Sequence, residues 1–283
     1  MERIIPRQQA TAAGFDAGLR RYMIGIYRMM GLGLLLTGAV AAGVASSPVL
    51  VAAIFGTPLK WVAMLAPLAF VMFFSFRIER MTTATARAAF FAFAAVMGVS
   101  MASIFLVFTG TSIAQTFLVA ATMFLTVSLW GYTTNRDLSG WSSFLMMGVI
   151  GVVVASLLNI FLGSSTLQLA ISLVGVAVFT GMTAWDTQRA KSDYLAWSGH
   201  EAIEKMAVMS ALSLYLNLIN LFQLLLQLIG QREEIEESKT PPGFRSAGLM
   251  SQCQNSSSRM MIGIGIPSNH NRIPLPIRPL QTG

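Results

Sequence analysis

One carboxylate closes an otherwise uncharged apolar run: Asp186, in Gly181-Met-Thr-Ala-Trp-Asp-Thr-Gln-Arg. A carboxylate at membrane depth is costly unless it is hydrated, paired or hydrogen-bonded, so this residue is a candidate for proton or cation chemistry. Arg77, in Phe74-Ser-Phe-Arg-Ile-Glu-Arg, ends another such run at the same depth. Its ordinary role there is an interfacial anchor, and an ion pair with Asp186 is geometrically open. A third apolar run carries Ser210, Ser213, Asn217, Asn220 and Gln227. At 3.6 residues per turn these five share an arc of about 100°. Such an arc cannot face lipid, so other helices should enclose it. Its polar edge then turns either to a cavity, with Ser210, Ser213, Asn220 and Gln227 lining a pore, or to hydrogen bonds between helices.

Standard catalytic patterns do not accompany these residues. The sequence has no Gly-x-Ser-x-Gly elbow, no His-Glu-x-x-His and no Gly-x-x-x-x-Gly-Lys. An intramembrane aspartyl protease needs two facing carboxylates, and the spans offer Asp186 alone. An enzyme is therefore not expected. Cys253 is the only cysteine, which excludes an intramolecular disulfide and a cysteine metal cluster. His200 and His270 fall in separate hydrophilic segments and read as solvated, so no cofactor is expected. The net charge of +7 is spread between the apolar runs rather than gathered on one face, which argues for membrane topology and against nucleic-acid binding.

The elements that must position these side chains are membrane helices. Hydrophobic residues make up 54% of the 283 and charged ones 11%, against roughly 25% charged in a soluble domain. Seven segments approach the length needed to span: Met29 to Ala45, Leu59 to Phe76, Ala88 to Phe108, Ile113 to Tyr132, Phe144 to Leu162, Leu167 to Trp185 and Met206 to Ile229. The first can begin near Tyr22 if Arg28 snorkels to the interface. Barrel strands alternate in polarity, whereas Gly148-Val-Ile-Gly-Val-Val-Val-Ala is apolar on every side, so the fold class is all-α integral membrane. A cleavable signal peptide is not expected, because the first stretch contains Glu2, Arg3, Arg7, Asp16, Arg20 and Arg21.

Lys and Arg crowd the N-terminus and alternate connections, which places the N-terminus in the cytoplasm. The chain divides into a cytoplasmic N-terminal segment, 1–21, a transmembrane domain, 22–232, and a polar tail, 233–283, rich in Pro, Ser and Asn and expected to be disordered. An odd number of crossings would put that tail outside; whether the last segment crosses or re-enters stays open.

Three stretches taken together resemble the Bax inhibitor-1 family, also called the transmembrane Bax inhibitor motif family, in its bacterial branch. They are Arg136-Asp-Leu-Ser through Asn159-Ile-Phe-Leu, Ala184-Trp-Asp-Thr-Gln, and Ala211-Leu-Ser-Leu-Tyr-Leu-Asn-Leu-Ile-Asn-Leu-Phe. The resemblance covers about residues 15 to 232. It implies six helices in two layers around a C-terminal seventh, in a bacterial inner-membrane protein. Family members are similar to pH-sensitive calcium-leak channels, and some bacterial ones are thought to modulate a membrane-bound protease. The alternative function is therefore a regulatory membrane protein without transport.

The resemblance also implies a gate and pH sensor made of two aspartates, with an arginine that latches onto them. Asp186 matches the first aspartate and Arg77 the arginine, but Asn217 stands at the second aspartate position. An acidic residue that some bacterial members carry in the second helix is missing, since Trp61 to Phe76 contains no carboxylate. Two touching carboxylates share a proton, which Asn217 cannot do. The expectation is a cation leak with little pH dependence near neutrality, and a weak calcium site at Asp186.

Overall fold

A computed structural model describes residues 5–77, 80–197, 200 and 202–230 of the chain. The tail at 233–283, with Cys253 and His270, lies outside the described residues. Among those described, the secondary structure is helical: α1 (Ile5–Ala45), α2 (Pro48–Phe55), α3 (Leu59–Arg77), α4 (Thr83–Met101), the single turn α5 (Ile104–Val107), α6 (Gly110–Thr133), a 3-10 turn (Ser139–Trp141), α7 (Ser142–Leu162), α8 (Ser165–Trp197) and α9 (Ala202–Ile229).

Most helices run past the ends of the apolar runs that nucleate them. The stretch 1–21, set apart in the sequence, is from Ile5 onward the first part of α1. Leu19, Met23, Ile26 and Met30 recur at helical spacing and are all buried, so the packed face continues down through Arg20 and Arg21. α8 likewise continues from Trp185, the expected end of its apolar run, to Trp197.

Six of the helical segments described are long and apolar enough to cross a bilayer. α2 and α3 would make a seventh span only jointly, and they meet at 81°. The corner is set by local chemistry. Gly56 ends α2, its amide donating to the Ala52 carbonyl at 3.0 Å, and Thr57 joins the two helices, donating its hydroxyl to the Ala53 carbonyl at 2.7 Å and accepting from the Leu59 amide at 3.3 Å. The question of re-entry thus falls on this bent pair rather than on α9, an unbroken helix of 28 residues. Its length of about 42 Å exceeds the hydrocarbon thickness of about 30 Å.

α9 packs against α1, α4, α6 and α8. In its most apolar stretch 61% of residues are buried, against 17% for α7, so α9 is an interior rod and α7 a peripheral one. Close approach of α6 to α8 requires Gly131: a Cβ there would sit 2.5 Å from the Ala184 carbonyl oxygen. Gly163, at φ 61°, ends α7 in the left-handed conformation that turns the chain into α8.

α3 contains Pro67, which has no N–H to give the carbonyl of Ala63 one turn earlier. Ser100 on α4 donates its hydroxyl to that carbonyl. A proline that would otherwise leave a bare acceptor in an apolar medium becomes a tie between two helices.

Candidate functional site

Asp186 is 5% exposed and faces α9 from α8. Its Oδ2 accepts two hydrogen bonds, from Ser213 Oγ at 2.6 Å and from Asn217 Nδ2 at 2.6 Å. Ser213 and Asn217 are four apart, so one face of α9 presents both donors to one carboxylate oxygen. Arg189, three positions along α8, is the cation whose charge acts on Asp186, but its guanidinium lies over the Trp185 ring at 5.4 Å. Arg77 does not join this cluster. It is exposed at the end of α3, over the Phe73 ring at 5.7 Å. A short helix end in contact with solvent lets a long side chain fold back onto its own helix rather than reach inward.

The polar stripe of α9 divides among neighbours. Ser210 lies beside the Tyr22 hydroxyl of α1, and Ser213 and Asn217 hold Asp186. Gln227 accepts from Gln168, and from Ser172 Oγ at 3.1 Å, both on α8. Asn159 donates to Gln168 Oε1 at 3.4 Å and, through Ser164, closes the α7–α8 turn, donating to its carbonyl and accepting from its amide at 3.0 Å each. Asn220 instead lines a cavity of about 350 Å³ between α3, α4 and α9, together with Gln223 and Lys60.

Sequence reasoning did not single out Gln188, which ties the α6–α7 connection to α8. Its Oε1 accepts from the Leu138 amide at 2.7 Å, and its Nε2 donates to the Arg136 carbonyl at 2.7 Å. Asp137, within that connection, accepts from the Ser139 amide at 2.8 Å, which holds its carboxyl below the usual carboxylate range. Lys191 donates to the Tyr132 carbonyl at 3.1 Å. A hydroxyl relay lies close by: Tyr27 contacts Ser128, Ser128 contacts Thr187 at 2.8 Å, and Thr187 donates to the Thr183 carbonyl at 2.8 Å. Thr187 spends its proton on the carbonyl, so Ser128 must donate to Thr187 and Tyr27 to Ser128. The stretches beginning at Arg136 and Ala184 are therefore one structural unit, with Asp186 facing α9 and Gln188 facing the α6–α7 connection from the same turn of α8.

The family model for the inhibitor of apoptosis-promoting Bax1 matches residues 19–234. The chain belongs to the Bax inhibitor family. A Caulobacter vibrioides protein is 43% identical over 242 residues, covering 82% of this chain and 96% of its own length. One from Rickettsia prowazekii is 43% identical over 220 residues, 78% of this chain and 93% of its own. The inner membrane protein YbhL of Escherichia coli K12 is 41% identical over 219 residues, 76% and 94%. The family match thus covers the helices from Leu19 onward, including the Asp186 seam, the Gln188 clamp and all of α9 within this Bax inhibitor family chain.

Proposed function

We propose that this chain is an inner-membrane cation leak pathway, with calcium as the permeant ion and the α8–α9 seam at Asp186 as its gate. The observation that carries the reading is the buried Asp186 carboxylate, held across the seam by two neutral donors, Ser213 and Asn217. Breaking those two hydrogen bonds frees a negative charge between two helices, which favours cation entry and water with it. A single carboxylate offers calcium too little charge for tight binding, which suits passage rather than storage. The inner membrane follows from the name of the relative YbhL, and the cytoplasmic side of the gate from the positive-inside placement of Arg77, Arg136, Arg189 and Lys191. Seven crossings, with the bent α2–α3 pair as one and six helices layered around α9, complete the reading.

Asn217 donates to Asp186 but has no titrating proton to share, so the leak should respond weakly to pH near neutrality. The test is calcium flux into liposomes across neutral pH for the native chain, Asp186→Asn and Asn217→Asp. Native flux should be shallow in pH, Asn217→Asp steep, and Asp186→Asn altered. Flux unchanged by Asp186→Asn removes this residue as the gate. If the native chain shows no flux and instead co-purifies with a membrane protein, a regulatory role such as modulation of a protease takes its place.

A further inference from the structure

A groove of about 500 Å³ lies between α1 and α6, with Met23, Ile24 and Tyr27 on one wall and Leu125, Ser128 and Leu129 on the other. Further along, Gly38 and Ile113 share a second groove between the same two helices. Late residues of α1 thus meet early residues of α6, and the helices run antiparallel. Met23 and Ser128 are buried and form the floor of the first groove, whereas Ile24, Leu125 and Leu129 are exposed. Both helices are long and apolar enough to span a bilayer, so that open side faces hydrocarbon.

The two ends of this groove differ. At one end it is lined by Arg20, whose side chain is exposed, and by Tyr132. Lys191 of α8 reaches the same end, with its ammonium over the Tyr132 ring at 5.4 Å and donating to the Tyr132 carbonyl at 3.1 Å. That bond uses one of its three N–H donors. Among the described residues no carboxylate lines the groove. Away from this end the walls are apolar, and the hydroxyl protons of Tyr27 and Ser128 are spent on the relay to Thr187. Water therefore finds few partners there. An apolar slot open to lipid and basic at the membrane surface matches a lipid whose head group is an anion: guanidinium and ammonium both suit phosphate oxygens.

We propose that this groove binds an anionic phospholipid from the leaflet on its Arg20 side. The phosphate meets Arg20 and Lys191, and one acyl chain lies between α1 and α6. The site does not depend on the chain conducting ions.

The full chain, freed of lipid in detergent, is titrated with phosphatidylglycerol and, in parallel, with phosphatidylcholine, and native mass spectrometry counts the bound lipid. The first phosphatidylglycerol should bind at least about fivefold tighter, the contribution of one basic side chain near an anionic surface. Arg20→Gln should weaken phosphatidylglycerol by about the same factor and leave phosphatidylcholine unchanged, while Arg20→Lys should retain both. Leu125→Trp, at an exposed position, should fill the slot and weaken both lipids without loss of fold. Arg136→Gln removes a basic group beyond the same end of α6 but outside the groove, and should change neither. Equal binding of the two lipids, or a loss in Arg136→Gln as large as in Arg20→Gln, would reduce the preference to diffuse surface charge and overturn the site. No effect of Leu125→Trp would also overturn it. A dimer in detergent that Leu125→Trp dissociates would give the groove to a second copy of the chain instead.

Discussion

Ser100→Ala removes the hydroxyl that serves the Ala63 carbonyl and creates a specific deficit, because Pro67 cannot supply the missing donor. Hydrogen bonds between membrane helices average about 0.6 kcal/mol, since a lost partner is usually replaced. Here replacement is blocked on the helix itself, so the cost should lie nearer the penalty of an unsatisfied buried acceptor, about 1–3 kcal/mol. The reasoning makes a sharper claim through Pro67→Ala, which restores an N–H one turn after Ala63. In that background Ser100→Ala should cost no more than the ordinary membrane average, giving a coupling of about 1 kcal/mol between residues on different helices. The assay is reversible unfolding of the full chain in mixed detergent micelles, monitored by tryptophan fluorescence, for the four members of the cycle. If Ser100→Ala costs the same with and without Pro67, the serine is not answering the proline and the explanation of that contact fails.

Gly131→Ala should destabilise by about 1–3 kcal/mol in the same unfolding assay, as expected for overpacking, because the added Cβ meets the Ala184 carbonyl oxygen at 2.5 Å. Gly151→Ala, where nothing lies within 4 Å, should be neutral or slightly stabilising, by up to about 1 kcal/mol from helix propensity. Gln188→Ala should release the α6–α7 connection: amide exchange at Leu138 should accelerate by about tenfold, the loss of roughly one net hydrogen bond's worth of protection, while exchange in α9 stays unchanged. Equal protection at Leu138 in Gln188→Ala and native protein would show that this connection is held by something else.

Composition and hydrophobic run length were sufficient for the helical membrane fold, because in hydrocarbon each backbone group must be satisfied within its own segment. The enclosure of α9 was legible for a related reason: five polar residues on one arc have no favourable exposure to lipid. The pairing of Asp186 with Asn217 was legible only through the resemblance to a family, since spacing along α8 and α9 says nothing about their relative rotation.

What each polar side chain meets was decided by tertiary structure alone. Ser210, Ser213, Asn220 and Gln227 look equivalent along one helix, yet they separate onto α1, α8 and a cavity because three different neighbours cover that single arc. Arg77 sits at the right depth for Asp186 but lies over Phe73, a difference of direction that depth cannot encode. The cavity that Asn220 and Gln223 line follows from how α3, α4 and α9 pack across long sequence separations. A hydropathy profile records how far along a helix a residue lies; only packing fixes which way it points.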